Sequence, residues 1–501
     1  MMRSRARAAL LGVAELLVSA VLHLGYAFYI FGAAVAADVS VSLVERLMDG
    51  GGVAKGAAVD GEDEAAAVLD GSVPPIVLVH GIFGFGKGVR TYLLLACALL
   101  SSLAGTDTAE AMDMDDLSLL QKLGGLSYFA GAENKDDRVL VPDLGSLTSV
   151  HDRARELFYY LKGGRVDYGE EHSRACGHSR YGRVYARGHY PAWDADHPAH
   201  FVGHSAGAQV VRLLQQMLHD RAFESHGAAT SADWVLSVTS LSGALNGTTR
   251  AYLDGVRADD GSGRSLRPLC LLQVCRVGSL LYHWLDLPFL TRYYDFGFAH
   301  FGVSRRLVGV RGLVDMLLGR PGAGGPFATG DWVLPDLTIQ GAARINARVA
   351  TFPRAFYFSY ASRRTAAARA ALLRRIHPLL FVRALQMRRW RYPAGDGVEP
   401  PYPGYKDEDW ADNDGALNTF SMTHPRVPVE HPSVRVDDDE DCHPLRPGIW
   451  YYKIVEADHM TFVINRRRGG VQFDLIYDSI FQNCRKHVFR TAPPPTLPNQ
   501  S

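Results

Sequence analysis

Short apolar runs, separated by glycine loops and helical patterns, organise the chain from position 74 onward. The first run is PPIVLVHGIFGFG, in which IVLV has the continuous hydrophobicity of a strand buried on both faces. Further strand-like runs lie at 138–144, 200–203, 234–242, 355–361 and 450–455. Helical spacing lies between them at 154–161 and 208–218. This alternation predicts an α/β protein with a mostly parallel central sheet.

The chain before this region has a different pattern. Residues 1–37 start with basic residues and continue as a long apolar run, broken by Glu15 and His23. A secretory signal or a membrane anchor is predicted, although Glu15 is costly in lipid. An amphipathic helix packed on the protein is the alternative. A signal or anchor would direct the protein into the secretory pathway, to an extracellular or membrane-anchored location.

Composition divides the rest of the chain. Residues 38–72 are rich in glycine, alanine and acidic residues, which predicts a flexible tether. We assign 73–490 to one large domain with insertions, and 491–501 to a disordered tail. A basic segment at 363–393 interleaves arginine with apolar residues. It is interpreted as a surface helix with a buried apolar face, in preference to a helix that lies on a membrane surface.

Charge and cysteine content exclude several classes of protein. The 501 residues carry a formal net charge of zero, so no nucleic-acid partner is expected. The six cysteines form no CxxC pair, which argues against a zinc ribbon or a thioredoxin-like site. Disulfides would be possible in a secreted protein, but the sequence does not pair the cysteines.

The strongest chemical motif is GHSAG at 203–207, a G-x-S-x-G sequence between a predicted strand and a predicted helix. A turn this tight requires small flanking residues and holds the serine at a strained backbone angle with its hydroxyl exposed. Ser205 is therefore the candidate nucleophile. The backbone N–H groups of Ile82, in the upstream HGIFG loop, and of Ala206 are the candidate oxyanion donors. His80 is expected to shape that loop.

A nucleophilic serine needs a base and a carboxylate that orients the base. His459 follows the last predicted strand in EADHMTF, which is the expected place for the base. Asp414, in the turn DNDG, is the preferred acid, and Asp412 and Asp458 are alternatives. An ordinary Asp-Gly turn would also explain Asp414.

A polar stretch, VDYGEEHSRACGHSRYGR at 166–183, carries two histidines, His172 and His178, with Cys176 between them. Its residues alone are compatible with a metal site, a catalytic site or a solvated loop.

Taken together, these segments resemble the bacterial true lipases of thermophilic bacilli and staphylococci, an α/β-hydrolase family with a zinc-containing subdomain. The resemblance rests on the order of the matching pieces between about 74 and 463. They are PPIVLVHGIFGFG, VDYGEEHSRACGHSRYGRVY, FVGHSAG, VLSVTSLSGALNGTT, ATGDWVLPDLTIQGAARIN, NDGALNTFSM and ADHMTF.

The resemblance implies an α/β-hydrolase fold with a zinc-binding insertion and a lid-like insertion. It implies Ser205, Asp414 and His459 as the catalytic triad, and so favours Asp414 over Asp412. The implied oxyanion donors are Ile82 and Ala206.

The resemblance also implies a zinc ion in the polar stretch. The implied ligands are Asp152, His172, His178 and Asp331. Two imidazoles and two carboxylates make a closed tetrahedral site, which is the structural kind. Cys176 is an alternative ligand, and Asp336 is an alternative to Asp331.

Some segments depart from the family pattern. The acidic residues expected after the catalytic histidine for a calcium site are replaced by HMTFVINRRR, so no calcium is expected. Ala206 stands where the family has glutamine. The segment 253–325 takes the place of the lid helices but matches poorly, and the insert at about 366–404 has no counterpart.

Three functions are therefore weighed from the sequence. The first is a serine hydrolase that cleaves carboxylic esters of lipids, with a membrane surface as a candidate partner. The second is an acyltransferase that uses the same triad. The third is a catalytically inactive scaffold that binds lipid or a partner, which the intact Ser, Asp and His disfavour.

Overall fold

The structure is a computed structural model, and the part of the chain that it describes carries the sheet and both candidate sites. The described residues are 73–82, 84, 128–223, 229–258, 266–268, 270–273, 276–277, 300–301, 314, 330–365, 376–393, 399–437, 444–463 and 466–488.

A seven-stranded parallel sheet forms the centre of the described region. Its strands are β1 Ile76–Val79, β2 Val139–Leu140, β5 Ala199–His204, β6 Val235–Leu241, β7 Phe356–Ser362, β8 Ser433–Arg435 and β9 Trp450–Val455. Their order is β2-β1-β5-β6-β7-β9-β8, and every pair is parallel. A separate antiparallel hairpin consists of β3 Gly164–Asp167 and β4 Tyr181–Tyr185.

Helices flank the sheet and fill the connections. They are α1 Val150–Lys162, α2 Glu170–Cys176, α3 Ala206–His219, α4 Arg250–Asp254, α5 Val333–Asp336, α6 Ile339–Asn346, α7 Pro378–Arg389, α8 Thr419–Thr423 and α9 Arg466–Gln482. Short 3-10 turns occur at Ala132–Asn134 and Ala232–Trp234, and a π-helical turn at Asn483–His487 follows α9. The last helix is broken at Gly470, where the backbone is not helical.

The core lies on both faces of the sheet because successive side chains of a strand point to opposite sides. Along β1, Val77 and Val79 join one hydrophobic cluster, while Ile76 and Leu78 join another. All four are fully buried, as expected for a central parallel strand. The packed sheet therefore supports the loops that begin at the ends of its strands.

The predicted fold class is confirmed: all strand-like runs named above form strands of one parallel sheet, and both helical patterns form helices. Sequence analysis did not predict the β3–β4 hairpin, the short strand β8 or the helix α9.

The basic segment contributes α7, whose Leu380, Ala384 and Met387 are buried. On the same helix Arg383 is buried and lies 2.8 Å from a carboxylate oxygen of Asp254. These contacts fit a helix packed on the protein.

Several sequence predictions fall outside the described residues. These are the leader 1–37, the tether 38–72, the tail 491–501 and most of the lid-like segment 253–325. Among the helices that the structure describes, none combines the length and the hydropathy needed to cross a bilayer.

Candidate active site and metal centre

Ser205 occupies a sharp turn between β5 and α3. Its φ of 56° is positive and, with a ψ of −122°, gives a backbone conformation that a non-glycine residue seldom adopts. A Cβ at Gly203 would come within 2.5 Å of the backbone nitrogen of Ala208, and one at Gly207 within 2.3 Å of the Val79 carbonyl oxygen. Only glycine fits at these two places, which explains the spacing of the motif. The strain at Ser205 is of the kind that accompanies functional residues.

The HG loop lies directly beside the serine. A Cβ on Gly81 would be 2.8 Å from the Cβ of Ser205, so the backbone of this loop approaches the nucleophile closely. Ile82 follows in the same loop and is partly buried. Ala206 is the first residue of α3, where backbone N–H groups lack intrahelical acceptors. Both residues predicted as oxyanion donors thus belong to segments that adjoin Ser205.

His80 holds the HG loop in place. Its Nε2 accepts the N–H of Leu144 at 3.1 Å, and its Nδ1 lies 2.9 Å from the carbonyl oxygen of Gly81. Burial, together with the charge of Arg153, lowers the pKa of His80 to about 3. A neutral, doubly engaged imidazole fits the loop-shaping role.

Asp414 and His459 meet next to the nucleophile turn. A carboxylate oxygen of Asp414 lies 2.8 Å from Nδ1 of His459, and both side chains are buried. The ring of His459 also packs against the ring of His204, the neighbour of Ser205, with centroids 4.7 Å apart. The N–H of His459 donates to the backbone carbonyl of Asp414 at 3.2 Å. The structure thus brings the three predicted residues to one end of the sheet.

The carboxylate of Asp414 has a full set of donors. Its Oδ2 accepts the hydroxyl of Ser362 at 2.6 Å, and its Oδ1 accepts the N–H groups of Ala416 and Leu417 at 2.9 and 2.7 Å. Burial alone would raise the pKa of Asp414, but the charge and hydrogen bond of His459, with these donors, keep it below its ordinary value. An ionised Asp414 can hold the imidazole with Nδ1 protonated and Nε2 as the base.

The two alternative acids have other contacts. Asp458 accepts the backbone N–H of His377 at 2.7 Å and the hydroxyl of Thr461 at 3.0 Å, which closes its own turn. The backbone carbonyl of Asp412 accepts the N–H of Thr419 at 2.8 Å. Among the described residues, Asp414 is the carboxylate at hydrogen-bond distance from the His459 ring.

A hydrogen-bonded chain that the sequence did not reveal joins the three loops of the site. The N–H of Gly81 donates to the hydroxyl of Tyr128 at 3.0 Å, and this hydroxyl lies 2.8 Å from Nδ1 of His204. Nε2 of His204 lies 3.2 Å from the carbonyl oxygen of His459, so it carries the proton and Nδ1 accepts from Tyr128. Burial, with the nearby His459, lowers the pKa of His204 well below its usual value. These contacts join the loop of Gly81, the turn at Ser205 and the loop that carries His459.

The four residues predicted as zinc ligands converge at a second place. Asp152 lies in the first turn of α1, His172 in α2, His178 just after α2, and Asp331 just before α5. Nε2 of His172 is 3.3 Å from a carboxylate oxygen of each aspartate. Nε2 of His178 is 3.0 Å from Asp331 and 3.7 Å from Asp152.

These distances fit a metal centre. Zinc bonds of about 2.0–2.2 Å to nitrogen and oxygen place tetrahedral ligands about 3.3–3.6 Å apart. The ring nitrogens Nε2 of His172 and His178 are buried, and neither forms a hydrogen bond with a described residue. Nδ1 of His178 lies 2.9 Å from the carbonyl oxygen of Ser179, the type of contact that protonates Nδ1 and leaves Nε2 free to bind a metal.

Charge supports the same reading. Burial alone would raise the pKa of Asp152, but its contacts with His151, His172 and His300 hold it well below the ordinary value. The pKa of Asp331 is likewise lowered against the effect of burial by His172 and His178. Burial alone would lower the pKa of His172, but hydrogen bonds to Asp152 and Asp331 and their charges raise it to about 9, and they raise the pKa of His178 as well. A bound divalent cation would take the place of these protons beside the two buried carboxylates.

Cys176 and Asp336, the two alternative metal ligands, lie at the margin of this cluster. The sulfur of Cys176 is 3.9 Å from Nδ1 of His172, whereas the carboxylates approach the other ring nitrogen. Cys176 nevertheless belongs to one compact group with His172, His178 and Asp331, whose donor atoms lie within 4.8 Å of one another. Asp336 accepts the N–H of Val150 at 2.8 Å, and burial, with the charge of Asp331, raises its pKa to about 7.

Two further histidines in this cluster were not predicted from the sequence. His151 lies beside Asp152 with Nδ1 at 3.2 Å from it and stacks on His172, with ring centroids 3.7 Å apart. Nε2 of His300 lies 2.9 Å from the second oxygen of Asp152. His151 is adjacent to a predicted ligand in the sequence, but His300 has no local signal.

Comparisons with known proteins agree with the fold and the motifs. The family described as "Lipase-like, C-terminal domain" matches residues 128–251. The lipase of Staphylococcus hyicus is 29% identical over 357 residues, which cover 67% of this chain and 50% of that protein. Lipase 2 of Staphylococcus aureus is 28% identical over 354 residues, which cover 67% of this chain and 46% of that protein. The chain therefore spans about half the length of the curated relatives it matches.

Solved structures of bacterial enzymes share the fold. Lipase 1 of Pelosinus fermentans, at 24% identity, covers 82% of this chain and 98% of its own, with a TM-score of 0.54. The S. hyicus lipase, at 24% identity, covers 85% and 97%, with a TM-score of 0.53. EstA of Clostridium botulinum, at 21% identity, covers 90% and 99%, with a TM-score of 0.57. The predicted resemblance to staphylococcal lipases and the α/β-hydrolase fold are confirmed.

Proposed function

We propose that this protein is a serine hydrolase that cleaves carboxylic esters of lipids. The observation that carries the proposal is the buried 2.8 Å contact between Asp414 and His459, beside a strained serine in a strand–turn–helix. A strained serine, a neighbouring imidazole and an ionised carboxylate are the parts that acyl transfer requires.

In the first half of the reaction, the hydroxyl oxygen of Ser205 attacks the ester carbonyl carbon. Its proton passes to Nε2 of His459, and the imidazolium is stabilised by Asp414. The carbonyl oxygen becomes an oxyanion, for which the backbone N–H groups of Ile82 and Ala206 are the proposed donors. Collapse of the intermediate breaks the ester C–O bond, and His459 returns the proton to the leaving alcohol.

In the second half, water attacks the carbonyl carbon of the acyl-Ser205 ester. His459 takes a proton from that water, and a second oxyanion forms at the same donors. Its collapse releases the carboxylic acid, and the proton returns from His459 to the oxygen of Ser205. The enzyme is then ready for another turnover.

The lipid substrate is the less direct part of the proposal. Its support is the similarity to proteins named lipase, of which the chain spans about half the length. A basic and then apolar leader, which lies in 1–37, supports a place in the secretory pathway.

Product analysis tests the reaction itself. We expect purified full-length protein to release free fatty acid from p-nitrophenyl and glyceryl esters, with water as the acceptor. Adding a long-chain alcohol should give only a minor share of transferred acyl product. A dominant acyl-alcohol product would assign the site to an acyltransferase, and no turnover at any acyl chain length would contradict both.

We also propose that the cluster of two histidines and two aspartates holds a structural zinc ion. Asp152, His172, His178 and Asp331 would bind it, and the bound ion would link the β3–β4 insertion to the start of α1 and to α5. The catalytic steps do not use it. The support is the buried, converging donor set described above.

Metal analysis tests this site. Purified protein should contain about one zinc per chain, and His178→Ala/Asp331→Ala should contain almost none and melt at a lower temperature, because metal binding contributes folding free energy. Cys270→Ala, which removes a metal-binding residue type elsewhere, serves as the control and should keep the zinc. A metal-free wild type that is stably folded would refute the zinc site.

A further inference from the structure

The metal centre contains more donors than a four-ligand site needs. Three overlapping groups of donors occur among the described residues. They are His172, Cys176, His178 and Asp331; Asp152, His178, His300 and Asp331; and His151, Asp152 and His172. The second group is by itself a complete set of two imidazoles and two carboxylates, with all donor atoms within 4.8 Å, and it does not include His172.

His300 is placed as a ligand would be. Its side chain is 8% exposed, and its Nε2 lies 2.9 Å from an oxygen of Asp152, which is fully buried. Nevertheless this Nε2 forms no hydrogen bond with a described residue. Nε2 of His300 is therefore close to the carboxylate oxygen of Asp152 but is not aimed at it. Two ligand atoms have this arrangement when both are aimed at a metal ion that lies between them.

Packing fixes the His300 ring in this orientation. The ring lies edge-on to Tyr168 with centroids 4.6 Å apart, and 4.3 Å from the ring of His178. The ring of Phe301, the next residue, lies edge-on to it with centroids 5.0 Å apart. Leaving Nε2 of this ring without a partner would be unfavourable, since a buried polar atom without a partner costs free energy.

His151 is the useful contrast. It contacts the same aspartate, but through Nδ1 and with a side chain that is 26% exposed. Its ring stacks on that of His172, with centroids 3.7 Å apart. This is the position of a group that supports a ligand by hydrogen bonding to its carboxylate.

We propose that His300 is an alternative metal ligand, which can take the place of His172 in a four-ligand site. The site would then hold the ion with Asp152, Asp331, His178 and His300, with His172 as an interchangeable donor. This inference rests on the proposed metal site and is independent of the ester hydrolase.

Because His172 and His300 would be interchangeable ligands, the metal content of variants tests the proposal. After dialysis of the full chain against metal-free buffer, His172→Ala alone should retain about one zinc per chain, because four ligands remain. His300→Ala alone should retain it as well. His172→Ala/His300→Ala should fall to about a tenth or less of the wild-type zinc, with a lower melting temperature, because only three protein ligands are left.

The matched control is His172→Ala/His151→Ala, which also removes two histidines next to Asp152 and should keep its zinc. His172→Gln/His300→Gln repeats the test with smaller packing changes, should the alanine pair fail to fold. The proposal is overturned if His172→Ala alone loses the zinc, or if the His172/His300 pair retains it. A wild type without zinc also overturns it, while labelling of Ser205 by an active-site probe would still report the hydrolase separately.

Discussion

Replacement of Ser205 by alanine is expected to lower kcat for p-nitrophenyl ester hydrolysis by about 10⁶-fold. The reason is that no other group among the described residues combines a hydroxyl, a strained turn and a neighbouring imidazole supported by a carboxylate. The proposed oxyanion donors would remain in this variant, so a residual rate above that in water is compatible with this account. The measurement is kcat and KM with purified full-length variants.

The control is Ser240→Ala, which removes a buried hydroxyl from the adjacent strand β6. It should leave kcat within a few-fold of the wild type. Equal activity in Ser205→Ala and wild type would contradict the assignment of the nucleophile.

Replacement of Asp414 by asparagine should lower kcat by about 10⁴-fold with little change in KM. An amide is nearly the same size, but its NH₂ can donate to Nδ1 of His459 and so favour the tautomer whose Nε2 is protonated. That imidazole cannot take the proton of Ser205. Loss of the negative charge also removes the stabilisation of the imidazolium.

Asp412→Asn is the matched control, since it makes the same change two residues away in the same turn. It should have nearly wild-type kcat. Because Asp414 also accepts bonds from Ser362, Ala416 and Leu417, the melting temperature of Asp414→Asn should be measured as well. A variant that is folded and fully active would exclude Asp414 as the orienting acid.

The sheet was predictable because its strands carry a direct hydrophobic signal. The run Ile76–Val79 is buried on both faces, and G-x-S-x-G marks the turn from β5 into α3. Each of these patterns is set by neighbours in the sequence. They therefore survive in a single sequence without any knowledge of the tertiary contacts.

The β3–β4 hairpin was missed for a physical reason. Most residues of Gly164–Asp167 and Tyr181–Tyr185 are partly or fully exposed, so they lack the alternation that marks a half-buried strand. The strand β8, Ser433–Arg435, is too short to give a pattern. For α9 a signal did exist: Phe473, Tyr477 and Ile480 have helical spacing and are buried.

The contacts that complete the sites join residues far apart in the chain. Ser362 reaches Asp414, and Tyr128 connects Gly81 with His204. His300 comes to Asp152 from a segment with no recognisable motif. Motifs indicate which residues react, whereas the groups that position them depend on the packing of the whole fold.

The most direct test of the account is the site at which a fluorophosphonate probe reacts with the folded wild-type protein. Fluorophosphonates react with a serine hydroxyl that an adjacent base activates, and peptide mass spectrometry locates the adduct. We predict one adduct per chain, on the peptide that contains Ser205, and none in Ser205→Ala. No labelling of the folded wild type, or an adduct that persists in Ser205→Ala, would contradict the proposed serine hydrolase.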